Sequence, residues 1–150
     1  MVGSTGPGAK RSRAPHFAVS TRPADLFVVA VGGSLGTLAR YAMSRLVGVP
    51  KDGFPWATFW TNLSGALVIG FFVTMVVEVL PPSRFARPFF AVGFLGGYTT
   101  FSTMATETVV LAKDGEALRG VVYIVSSVVA GIALAYAGVR LARLVIKGFR

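Results

Sequence analysis

Four largely apolar runs, separated by connectors of only a few residues, fix what this chain can fold into: Leu26–Val47, Trp56–Leu80, Phe89–Ala112 and Leu118–Ile146. Each meets the requirement of about 20 residues for a helix that crosses a bilayer. The connectors, VPKDGFP, PPSRFARP and KDGEA, carry the Pro, Gly and Asp of tight turns. Hydrocarbon offers no partner for an open backbone, so such runs span as helices. The spacing therefore predicts an all-α membrane protein with four transmembrane helices. Composition agrees: 53% of the 150 residues are hydrophobic and 14% charged, against about 25% charged in soluble domains.

Residues 1–24 lie outside this pattern. They are rich in Gly, Pro, Ser and basic residues and have no apolar period, which predicts a disordered basic tail. The run that follows is too long for a cleaved signal peptide and lacks a clear cleavage site. Residues 25–147 form the membrane domain. The net charge of +9 invites a nucleic-acid reading. The basic residues sit at segment ends and tails, however, where membrane topology and lipid headgroups account for them. With no cysteine and a single histidine in the tail, His16, disulfides, thiolate metal sites and Cys or His catalysis are excluded.

An even number of spans puts both termini on one side. Ten Lys and Arg fall there: Lys10, Arg11, Arg13, Arg22, Arg84, Arg87, Arg140, Arg143, Lys147 and Arg150. Four fall on the other: Arg45, Lys51, Lys113 and Arg119. The positive-inside rule then places both termini in the cytoplasm of a multi-pass plasma-membrane protein.

The third run contains an interruption, GFLGGYTTFSTM from Gly93 to Met104. Helix breaks at membrane depth are tolerated where the freed backbone is buried in protein or lines a polar cavity. Two readings follow: a glycine-rich packing face, or an ion site. Beyond the break, Phe101, Met104 and Glu107 recur at a spacing of three and share a helix face. Ser102 and Thr103 add hydroxyls at the same level. Glu107 is a carboxylate within a span, which ordinarily faces protein or water.

The other runs supply fewer polar groups. In the first, Gly32 and Gly36 form a small-xxx-small pair that admits a close backbone. Arg40 stands inside this span, where an unpaired charge costs at least about 2.5 kcal/mol. It either snorkels to the interface or serves as a structural or vestibule charge. In the second, Asn62 of TNLSG either hydrogen-bonds another helix or offers its two N–H donors to an anion. Glu78, near that run's end, reaches the headgroups. In the fourth, Tyr123, Ser126 and Ser127 either line a polar track or bond carbonyls one turn back.

GGSLGTLARY, TNLSG and GFLGGYTTFST, in this order, resemble the CrcB/Fluc family of fluoride channels. The resemblance runs from Asp25 to Arg143. It implies a dimer of antiparallel four-helix subunits with two fluoride pores along the interface, conducting passively and lowering cytoplasmic fluoride. It also implies a structural sodium ion at the dimer centre, held by the backbone carbonyls of Gly96 and Thr99. Such oxygen ligands suit a hard cation. By motif, Asn62 and Phe101 face fluoride, the latter through its positive ring edge. Ser102, Thr103, Tyr123 and Ser127, with Ser126 as the alternative to Ser127, belong to the polar track, and Glu107 matches a family acid.

Three features depart from that pattern. Met104 stands where a second phenylalanine is expected, and Trp60 where some relatives carry a threonine, leaving Thr58 and Thr61 as substitutes. The ten-to-four charge bias is large for a family that often inserts both ways. These departures raise a heterodimer with an oppositely oriented paralogue beside the homodimer. A small multidrug exporter would need an acid in the first span, and Leu26–Val47 has none. A membrane scaffold would leave Asn62 and the TTFST break unexplained, and no nucleophile–base pair suggests an enzyme. The expected partners are fluoride, lipid and a second subunit, with no nucleic acid.

Overall fold

The computed structural model describes residues 22–48, 53–79 and 83–148. The expected tail, apart from its last residues, and the basic residues Lys10, Arg11, Arg13, Lys51 and Arg150 lie outside the described residues. Among the described residues every regular element is helical. The order is α1 (Pro23–Val47), α2 (Trp56–Glu78), a π-helical segment (Pro88–Phe94), α3 (Leu95–Tyr98), α4 (Phe101–Lys113) and α5 (Ala117–Gly148).

Three of these, α1, α2 and α5, are long and apolar enough to cross a membrane. At 1.5 Å per residue, the 32 residues of α5 reach about 48 Å, beyond the roughly 30 Å hydrocarbon core. The stretch from Pro88 to Lys113 is divided into pieces of 7, 4 and 13 residues. Thr99 (φ −77°, ψ 158°) and Thr100 (φ −151°, ψ 119°) are extended and separate α3 from α4. The turn into α5 passes through Gly115 at φ 84°, a conformation that suits a residue without Cβ.

Glycines set the helix packing. A Cβ on Gly32 would stand 2.5 Å from the Phe89 carbonyl oxygen and 3.2 Å from Gly93 Cα, and one on Gly36 would overlap the Phe94 carbonyl. Gly93 returns the fit against Val29 O (2.7 Å), and Gly97 presses on Gly33. The π-helical segment and α3 thus run alongside α1, backbone against backbone. On the other side, Gly70 of α2 meets the Ala135 carbonyl, and Gly138 of α5 meets that of Leu67. The α2–α5 crossing is equally close.

Two ion pairs tie the helix ends that lie together. Arg84, before the π-helical segment, pairs with Asp25 at the start of α1 (3.1 Å). Arg143, late in α5, pairs with Glu78 at the end of α2 (3.0 Å). The start of α1, the end of α2 and the end of α5 therefore share one end of the bundle. Toward the other end, Met104, Leu111 and Tyr123 form a buried cluster backed by Phe54, Phe59 and Ile124. Much of the remaining apolar surface is exposed, including Leu38 and Leu46 on α1 and Val129 and Ile132 on α5.

Candidate functional site

The break is built by competition for its backbone donors. In an unbroken helix the Thr100 N–H would bond the Gly96 carbonyl four residues back. It donates instead to Asn62 Oδ1 (2.9 Å), while Asn62 Nδ2 donates to the Thr100 carbonyl (2.9 Å). Likewise the Thr103 N–H, which would bond the Thr99 carbonyl, donates to Thr100 Oγ1 (3.2 Å), the cap of α4. Gly96 and Thr99 therefore lose the donors that a continuous helix would give their carbonyls. Two further contacts anchor the break to α2: Ser64 Oγ and Tyr98 OH lie 2.8 Å apart, and Gly65 receives the Thr99 methyl.

Beside the break lies a cavity of about 440 Å³. Asn62, Gly96, Thr99, Phe101, Met104 and Ser127 line it, joined by Thr100, Gly65 and apolar residues such as Leu95, Val128 and Ile132. The three glycines of GFLGG divide their roles. Gly93 and Gly97 pack on α1, while a Cβ on Gly96 would meet nothing within 4 Å. Phe101 is 73% exposed, and Met104, three residues on, is 5% exposed and also belongs to the buried cluster.

The donors around this cavity can be followed one by one. Thr99 Oγ1 donates to the Leu95 carbonyl (2.8 Å), and Thr100 Oγ1 donates to Thr103 Oγ1 (3.0 Å). Ser127 Oγ donates to the Tyr123 carbonyl one turn back (2.7 Å), as Ser126 does (3.1 Å). Every hydroxyl hydrogen on the lining side chains is thus committed. An amide carries two N–H groups, and Asn62 commits one of them in its bonds to Thr100. The other has no partner among the described residues. The edge of the Phe101 ring adds a weaker positive partner.

A second polar group joins α2, α4 and α5. The Glu107 carboxylate accepts hydrogen bonds from Tyr123 OH (2.7 Å) and Thr58 Oγ1 (2.8 Å). Tyr123 is fully buried, and its ring stacks edge-on against Phe54 at 5.3 Å. Met104 belongs to both surroundings, sharing the buried cluster with Tyr123 and lining the cavity. Ser102 and Thr103 are exposed and belong to a hydroxyl cluster around Thr100, outside the cavity lining. Trp60 is half-exposed on α2 and stacks with Trp56. Thr61, by contrast, is buried. Arg40 is half-buried and makes no hydrogen bond or ion pair among the described residues.

Thr100 and the Thr58–Glu107–Tyr123 group were beyond sequence reasoning as partners. The signal for Thr100 was present: a threonine directly before a resuming helix is a common N-cap. The carboxylate group joins residues 49 and 16 positions apart, and no periodicity reports that.

The fold and the site together define a class: a helical membrane protein in which an interrupted helical stretch forms the wall of a sparsely polar cavity. Residues 27–139 match the family model described as CrcB-like protein, Camphor Resistance (CrcB). The chain is 41% identical over 142 residues to the "Fluoride-specific ion channel FluC 1" of Streptomyces coelicolor, covering 94% of this chain and 92% of that one. It is 39% identical over 119 residues to the FluC 1 of Mycolicibacterium paratuberculosis (79% and 90% covered) and 39% over 117 residues to the FluC of Chlorobium luteolum (78% and 91% covered). The chain belongs to the CrcB family, whose matching relatives carry the names of ion channels and not of enzymes.

Proposed function

We propose that this chain is a subunit of a fluoride-selective channel that lets fluoride leave the cytoplasm passively and so lowers its concentration there. The observation that carries the reading is the second N–H of Asn62, which has no partner among the described residues, in a wall whose hydroxyl hydrogens are all committed. A small, strongly hydrated anion exchanges water for few, fixed donors, and the bond to Thr100 fixes this one. Phe101 presents its ring edge nearby, and Met104 closes the wall with a polarisable side chain in place of a second ring. Glu107, hydrogen-bonded by Tyr123 and Thr58, holds the hydroxyl-rich region below. Ser127 borders the path, Ser102 and Thr103 line its approach, and Arg40 supplies vestibule charge.

The stretch from Pro88 to Lys113 is read as a single interrupted crossing, the third of four. Both termini then lie in the cytoplasm, as the ten-to-four distribution of Lys and Arg favours. The wide, apolar remainder of the cavity and the exposed Phe101 suit a second subunit in antiparallel orientation. Gly96 and Thr99 fit a sodium ion at that junction: their carbonyls have lost their helical donors and both residues face the cavity. A bound sodium would supply a fixed positive charge at the break and link the two subunits; it would not be transported. The same charge bias favours a second reading, in which the partner is a related chain inserted the other way.

Fluoride-sensitive cells test the function. Cells without fluoride export that express this chain should grow at fluoride levels that stop control cells, and Asn62→Asp, which puts a negative charge at this donor, should abolish the protection. Equal protection by Asn62→Asp at equal membrane abundance would remove Asn62 from the path.

A further inference from the structure

Thr99 has almost no freedom. Its N–H (2.9 Å) and its hydroxyl (2.8 Å) both donate to the Leu95 carbonyl. With the oxygen of a β-branched side chain fixed, the direction of its methyl is fixed as well. That methyl, Cγ2, occupies the place where a Cβ on Gly65 would stand. The same point is 3.5 Å from Tyr98 Cδ1 and 3.8 Å from Thr99 Cβ, so the notch is walled on two sides. Gly65 is buried and borders the cavity. Along the same helix, Asn62 holds Thr100 and Ser64 holds Tyr98. The residues before and after Thr99 are thus pinned to α2, and a methyl added at position 65 cannot be met by sliding the break along the helix.

We infer that Gly65 is a positioning residue for the ion site: the notch left by its missing side chain sets Thr99, and with it the direction of the Thr99 carbonyl on the cavity wall. The inference rests on the reading that this carbonyl holds a cation, and adds what places it there. Gly65 touches neither ion. It acts through the threonine methyl, so the defect from filling the notch is relieved by removing that methyl. Serine at position 99 does this, because it keeps the hydroxyl that bonds Leu95 and lacks Cγ2.

The experiment compares full-length wild type, Gly65→Ala, Thr99→Ser and the double variant. Fluoride efflux from liposomes is measured for each, together with thermal midpoints in sodium and in N-methylglucamine. Gly65→Ala is expected to lose about tenfold in efflux, the scale of an overpacked contact, and to lose any midpoint rise given by sodium. The double variant is expected to recover both, with efflux within about threefold of Thr99→Ser alone. Efflux of Gly65→Ala within about twofold of wild type, or a double variant no better than Gly65→Ala, overturns the inference. If Gly65→Ala does not fold, the double variant decides: folding and conduction support the notch, and failure overturns it. A wild type that releases no fluoride removes the channel reading alone; the notch is then judged by whether the midpoint lost in Gly65→Ala returns in the double variant.

Discussion

At the scale of single residues, the account turns on which hydrogen-bonding groups are committed and which are left over. Asn62 brackets Thr100 through its oxygen and one N–H, so it supports the break and faces the cavity at once. The two roles weighed for it in the sequence, a bond to another helix and a donor to an anion, are compatible because an amide has two hydrogens. Glu107 is the complementary case, an acceptor with two donors supplied. Tyr123→Phe removes one donor from the carboxylate and should lower stability by about 1–3 kcal/mol, read as a fall in the thermal midpoint in detergent. An unchanged midpoint would mean that Glu107 does not depend on that bond. The Glu107–Tyr123–Thr58 group was invisible in the sequence, since three polar residues on three helices carry no common period. The carboxylate within a span was visible, and so was its need for partners.

At the scale of helices, small residues decide the packing, and the sequence marked them without saying what they meet. The Gly32–Gly36 pair signalled a close approach; only the fold shows that the approaching backbone is the glycine-rich stretch itself, through Gly93 and Gly97. Of the two readings of GFLGG, the packing face holds for Gly93 and Gly97, while Gly96 packs against nothing and borders the cavity. Gly36→Ala should therefore destabilise by about 1–3 kcal/mol or more through overpacking, because the added methyl overlaps the Phe94 carbonyl. Gly131→Ala, with nothing within 4 Å of the new methyl, should leave the stability within about 0.5 kcal/mol of wild type. Equal losses at the two positions would contradict the packing described for α1. The extended Thr99–Thr100 pair falls inside the cluster of glycines and threonines that stands out in the sequence. The exact residues of the break were not legible there, because they depend on Asn62 of another helix taking the Thr100 N–H.

At the scale of the whole molecule, the helical, membrane-spanning class followed from the length and apolarity of the runs. The ion pairs Asp25–Arg84 and Glu78–Arg143 show which helix ends share a side of the bundle. The exposed faces of α1 and α5 and the open cavity give the chain surfaces that lipid and a second subunit would cover. What the assembly does is a property of that complex, and efflux tests it as a whole. The most direct measurement follows fluoride with a selective electrode as it leaves liposomes reconstituted with this chain purified alone. The account predicts that fluoride is released while chloride is retained. Fluoride held back by the chain alone, and still held back when a related, oppositely inserted chain is added, would contradict it, as would chloride released as fast as fluoride.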